Sequence, residues 1–131
     1  MDQATRLLIG ERAAGRCEYC RMPQAALDRS FHVEHIIARQ HGGSDDQENL
    51  ALACDRCNLH KGTNLSSLDP ETGETVQLFH PRTQAWEEHF ELRGALIIGK
   101  SPAGRATARL LDMNAVRRVH LRSALLEAGE F

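Results

Sequence analysis

Residues 31–61 read FHVEHIIARQHGGSDDQENLALACDRCNLHK, and their pattern decides the fold. Phe31 to Ile37 alternates β-branched and aromatic residues with others and ends in polar ones, which predicts a strand. His41-Gly42-Gly43-Ser44-Asp45-Asp46 is loop chemistry, with two glycines free to take positive φ. Asn49 to Ala53 makes a second short strand, and a short helix is expected from about Asp55 onward. The unit is strand, loop, strand, helix.

Its outer end carries half of a cysteine pattern. Cys17 and Cys20 form one C-x-x-C pair and Cys54 and Cys57 another, with 33 residues between the pairs. Two such knuckles present four thiolates to one tetrahedral ion, which predicts a structural Zn²⁺ site. A disulfide framework would need an oxidising compartment, and a thioredoxin-like redox motif would need only one pair. The separation is longer than in a plain zinc ribbon, so the insert between the knuckles folds on its own and is the place to look for function.

Composition narrows the class. The 131 residues suit about one domain, 1–131, and no apolar run approaches the ~18–20 residues of a membrane span. Met1-Asp2-Gln3 places an acid where a secretory leader has bases, so a cytoplasmic protein is expected, nucleoid-associated in a prokaryote. Sixteen Lys plus Arg against eighteen Asp plus Glu give a net charge of −2, which excludes a histone-like coating protein but not a local basic face. Fourteen of those sixteen cations are arginine, whose planar fork suits phosphate oxygens.

Within the insert, Glu34 and His35 stand side by side at the end of the first strand, and Asn58 follows Cys57 directly. If the helix packs across the hairpin, the Glu34 carboxylate and the Asn58 amide oxygen can share a divalent cation while His35 takes a proton from water. Such hard oxygen ligands favour Mg²⁺ or Mn²⁺. The ion would stabilise a pentavalent phosphate and the leaving oxygen. A lone strand histidine is usually a half-buried packing residue. Here FHVEHII, Gly42-Gly43, Asn49-Leu50 and CDRCNLHKG occur together, and this set resembles the HNH endonucleases, the zinc-knuckle form of the ββα-metal or His-Me finger nucleases.

The resemblance covers residues 14–63 and implies an α+β protein: a ββα-metal core (about 14–63) stapled by the four-cysteine zinc, an N-terminal helix and a C-terminal strand-and-helix extension (about 64–131). It implies that His35 is the general base, that Asn49 holds the loop by side-chain to backbone hydrogen bonds, and that Asn58 is a metal ligand. Glu34 falls where the family usually carries Asp, also as a ligand. Endonucleolytic hydrolysis of duplex DNA with a 5′-phosphate product would follow, and coordinated double-strand cutting would call for a homodimer or a partner protein. His32, Lys61, Arg105, Arg117 and Arg118 are candidate substrate contacts, whereas Asp45, Asp46 and Glu48 read as a solvated loop. Two other classes stay open: a catalytically inert zinc-stabilised nucleic-acid-binding module, and a toxin-like partner-binding protein whose metal serves folding.

The flanks are plainer. Residues 2–14 suit a helix whose apolar side, with Ala4, Leu7 and Leu8, packs on the zinc core. Asp69 to Gly73 is a turn, Thr75 to Phe79 a strand, and Leu92 to Ile98 a hairpin around Gly94. The only tryptophan, Trp86, is a core anchor by size. FHPRTQAWEEHF, followed by IIG and GRAT, is similar to an extension of a subset of bacterial HNH proteins. Helices are expected over 103–112 and 114–128, the second capped by Asn114, with Val116, Val119, Leu121, Leu125 and Leu126 as its apolar set. Arg105, Arg109, Arg117, Arg118 and Arg122 form the one basic block, suited to gripping duplex backbone.

Overall fold

The computed structural model describes residues 1–131 as three antiparallel hairpins held among helices. In chain order the elements are α1 (Gln3–Arg12), β1 (His32–His35), β2 (Leu50–Ala53), α2 (Asp55–Lys61), β3 (Ser66–Leu68), β4 (Thr75–Gln77), α3 (Trp86–His89), β5 (Phe90–Arg93), β6 (Leu96–Gly99), α4 (Pro102–Leu110) and α5 (Val116–Glu127). No helix is long and apolar enough to cross a membrane.

The central hairpin is the expected one, with both strands shorter than the hydrophobic pattern suggests. β1 pairs with β2 from His32 opposite Ala53 to His35 opposite Leu50. All four residues of β2 are buried, because α1 lies against this strand. α1 begins on an Asp2 cap that accepts from the Thr5 N–H at 2.7 Å, and ends on Arg12, whose guanidinium donates to the Gln47 and Leu50 carbonyls at 3.0 and 2.6 Å. That polar clamp sets the helix rotation. Ile9, three residues before Arg12, is fully buried, while Leu7 and Leu8 stay exposed. The expected Leu7/Leu8 contact with the zinc core is therefore replaced by Ile9.

One apolar cluster joins the knuckle unit to the C-terminal elements, running from Tyr19, Phe31, Ile36 and Leu50 through Phe79 and Phe90 to Leu111 and Met113. Phe79 meets Phe90 edge-on at 5.2 Å, and Trp86 stacks on Phe90 at 5.1 Å. Trp86 is half-buried, and its indole N–H donates to the Tyr19 carbonyl at 2.7 Å, so it bridges the seam between the two parts and is not a central anchor.

β5 and β6 form the hairpin expected around Gly94, and α4 crosses it at backbone contact. A β-carbon on Gly104 would collide with the His89 carbonyl, and one on Gly99 with the Arg105 amide. Asn114 does not cap α5. Its amide gives and takes hydrogen bonds with Ile97 O and N at 2.8 and 2.9 Å, replacing a missing strand neighbour of β6, and the helix starts at Val116 after Ala115. Val116 is 70% exposed, and α5 turns Arg118, Arg122 and Leu125 inward instead.

The basic block consequently dissolves. Arg122 donates to the carbonyls of Ala95 and Met113 at 2.6 and 2.9 Å, tying the β5–β6 turn to the α4–α5 connection. Arg105 grips Asp69 with two hydrogen bonds of 2.9 and 2.8 Å and also reaches Glu71. Among the five arginines, Arg109 and Arg117 remain exposed.

Gly104→Ala is expected to lower stability by about 1–3 kcal/mol, the usual cost of forcing volume into a packed contact, read by denaturant titration. The Arg105 guanidinium holds the Asp69 carboxyl well below the ordinary carboxylate range. The pair's contribution is complete above the unfolded carboxyl's pKa of about 4 and is lost as pH falls through the depressed folded value. Thermal scans from neutral pH to about pH 2 should accordingly show a shallower acid loss in Asp69→Asn than in the parent chain.

Candidate metal centre and active-site cleft

The four cysteine sulfurs converge. All lie within 4.8 Å of one another and all four residues are buried. Cys20 and Cys54, from different knuckles, are 3.7 Å apart, far beyond a disulfide bond and close to the ~3.8 Å edge of a tetrahedron with 2.3 Å zinc–sulfur bonds. Within each knuckle the backbone N–H of the second cysteine points at the sulfur of the first at 3.5 Å, and Cys54 thereby also caps α2. The donor set fits structural zinc.

Arg118 completes this centre. Its guanidinium reaches Cys57 Sγ at 3.0 Å and Cys54 Sγ at 3.8 Å, while its other nitrogen donates to the Leu111 and Asp112 carbonyls at 2.6 and 2.9 Å. Burial works to lower its pKa, but the charges at Cys57, Cys20 and Cys54 outweigh it and hold the group above its ordinary value. Four thiolates around Zn²⁺ leave two uncompensated negative charges, and Arg118 offsets one of them. At 8% exposure it cannot serve as the substrate contact its sequence neighbourhood suggests.

On the other side of the hairpin, β1 delivers Glu34 inward and His35 to the edge. The Tyr19 hydroxyl donates to one Glu34 oxygen and the Lys61 ammonium to the other at 3.1 Å. Lys61 also donates to the Ile36 carbonyl at 2.8 Å. Burial raises the Glu34 pKa, opposed by the Lys61 charge and the Tyr19 hydrogen bond. Lys61 is 2% exposed, so here it is a counter-ion of Glu34 and not an open phosphate anchor. Asn58, half-buried, stands three residues before Lys61 on α2. His32 lies at the opposite end of β1 and meets Asp55, the first residue of α2, at 2.6 Å; Arg29 pairs with the same carboxylate.

The loop after β1 is fixed by Asn49. Its amide nitrogen donates to the Ile37 and Ser44 carbonyls at 2.9 and 2.7 Å, and its oxygen accepts from the Ile37 N–H at 2.9 Å. Gly43 is squeezed between these partners, and a β-carbon there would fall on the Ile37 carbonyl and the Asn49 amide. The clamp brings Asp45 to His35, with Oδ1 2.7 Å from Nε2.

Residues 17–64 match the family model for HNH endonuclease. This segment is similar to an HNH domain. Neither a curated protein nor a solved structure gives a significant match to the chain.

The matched segment spans both knuckles, the hairpin and α2, and with them His35, Asn49 and Asn58. Three contacts of the centre escaped the sequence reading. Tyr19 carries no motif spacing that would link it to Glu34. Arg118 lies 61 residues beyond the last knuckle cysteine, and only its place in an arginine-rich helix singled it out. Asp45 was readable solely as a carboxylate following Gly-Gly-Ser.

Arg118→Met keeps the stem's bulk and removes the guanidinium. It is expected to weaken zinc binding about 10–100-fold, as loss of a partner to a metal ligand typically does, in competition with a chromophoric chelator. Equal affinity of parent and variant would show that the contact does not tune the centre.

Proposed function

We propose that the HNH domain is a metal-dependent endonuclease that hydrolyses DNA phosphodiester bonds. The observation that carries this reading is the Asn49 clamp: three hydrogen bonds hold the loop opposite His35, as the family likeness implies for a working site.

His35 is the general base, taking a proton from the water that attacks phosphorus. Glu34 and Asn58 supply hard oxygen donors for a divalent cation, Mg²⁺ or Mn²⁺ by donor type. When bound, that cation supplies charge stabilisation for the phosphate and the departing 3′ oxygen. The fit rests on chemistry already visible at Glu34, a buried carboxylate whose oxygen holds the positive ammonium of Lys61. Glu34 and Asn58 would hold the cation, and Lys61, which also donates to the Ile36 carbonyl, would stay beside the carboxylate. A zinc ion held by all four cysteine sulfurs would have no open position, so its part would be structural and not chemical. Exposed Arg117 is offered as a contact to duplex backbone, and a homodimer or partner protein would provide a second cut.

One observation favours the inert nucleic-acid-binding alternative: the Lys61–Glu34 pair satisfies the carboxylate without any metal. Supercoiled plasmid incubated with the zinc-loaded chain and Mg²⁺ or Mn²⁺ decides between them. Nicking that falls at least ~10²-fold in His35→Ala is expected, in line with the usual contribution of a positioned base. Retained plasmid binding without nicking, or equal nicking by both proteins, would overturn the enzyme reading.

A further inference from the structure

We propose that Asp45 is a positioning residue that holds the His35 ring in the tautomer with the proton on Nε2, leaving Nδ1 free to accept the proton of the attacking water. The inference rests on the reading of His35 as the base and assigns to a loop carboxylate the orientation of that base.

The chemistry of the contact is directional. An ionised carboxylate is acceptor-only, so a 2.7 Å contact between Asp45 Oδ1 and His35 Nε2 requires the proton on Nε2. In the neutral ring the lone pair then sits on Nδ1, and a base with its proton on the wrong nitrogen cannot work however well it is placed. The His35 hydrogen bond, with help from Arg39, lowers the Asp45 pKa and favours its anion.

The carboxylate is also held in place. Arg39 donates to the same Oδ1 from Nε at 3.0 Å and lies 2.9 Å away through its terminal nitrogen, so the oxygen meets the ring from a fixed direction. The backbone just before Asp45 is pinned by the Asn49 amide on the Ser44 carbonyl, and Gly43 admits the close approach that this requires. The path therefore runs from Asn49 through Ser44 and Asp45 to His35. The Asp45 side chain is 65% exposed and fills no core space, so its contacts serve the ring and not the packing.

The experiment uses the full zinc-loaded chain and two readouts. Nitrogen NMR of the histidine rings, at a pH where His35 is neutral, should show one Nε2–H tautomer in the parent and a mixture of tautomers in Asp45→Ala. In plasmid nicking, Asp45→Ala should lose about 10–100-fold in kcat with KM unchanged, a fraction of the 10²–10⁴ that a positioned base supplies. Asp45→Glu, which can still accept from Nε2, should recover part of the loss and the tautomer. An unchanged tautomer in Asp45→Ala overturns the proposal, as does a change in KM alone, which would make Asp45 a substrate contact. If the parent chain does not nick, the nuclease reading falls by itself, and the ring spectrum still decides whether Asp45 sets the tautomer. Should Asp45→Ala lose zinc or fold, Asp45→Leu, near the same size with no acceptor, replaces it in both readouts.

Discussion

Two thiolate pairs separated by 33 residues can reach one ion only if the chain between them leaves the first knuckle and comes back to it. That closure is the constraint on which the rest depends. The returning chain is the β1–β2 hairpin, and the second knuckle is simultaneously the cap of α2, so the metal ligands fix both where the hairpin ends and where the helix begins. Structural zinc is worth many kcal/mol of folding free energy in small domains, and here it is concentrated on the segment that carries the site. A short hairpin such as this one is marginal by itself and gains its rigidity from that staple.

The closure has an electrostatic side that shapes the second half of the chain. A tetrathiolate zinc is an anion in a dry interior, and an apolar helix packed over it would leave that charge uncompensated. α5 answers with Arg118 where an ordinary amphipathic helix would place a leucine. It then continues the same face with Arg122, whose Nε and one terminal nitrogen donate to the Ala95 and Met113 carbonyls in the turns around it. The inward face of the last helix is thus basic because of what lies beneath it.

This inversion explains which parts could be read from the chain. The knuckles, the hairpin and the turn at Gly94 all follow from residues acting on neighbours a few positions away, or from a pattern that fixes geometry whatever surrounds it; the Asn49 role came only from the family resemblance. Arg118 and Arg122 belong to no such pattern: an arginine-rich helix reads as a solvated or nucleic-acid-facing surface unless the buried anion is known. Lys61 misleads for the same reason, since its partner Glu34 is 27 residues away and buried with it. Leu7 and Leu8 lost their expected place to Ile9 because two hydrogen bonds from the Arg12 guanidinium to backbone carbonyls decided the rotation of α1, a polar effect that hydrophobic periodicity does not register. Asp45 looked like loop solvation until the Asn49 clamp turned it toward His35.

The seam between the HNH-like segment and the C-terminal elements holds the chain's one tryptophan, stacked on Phe90, bonded to the Tyr19 backbone inside the first knuckle and covered by the Arg21 guanidinium at 4.9 Å. Each of these partners belongs either to the zinc-bearing half or to the hairpin docked against it. The surroundings of this indole therefore exist only while the two parts are docked against each other.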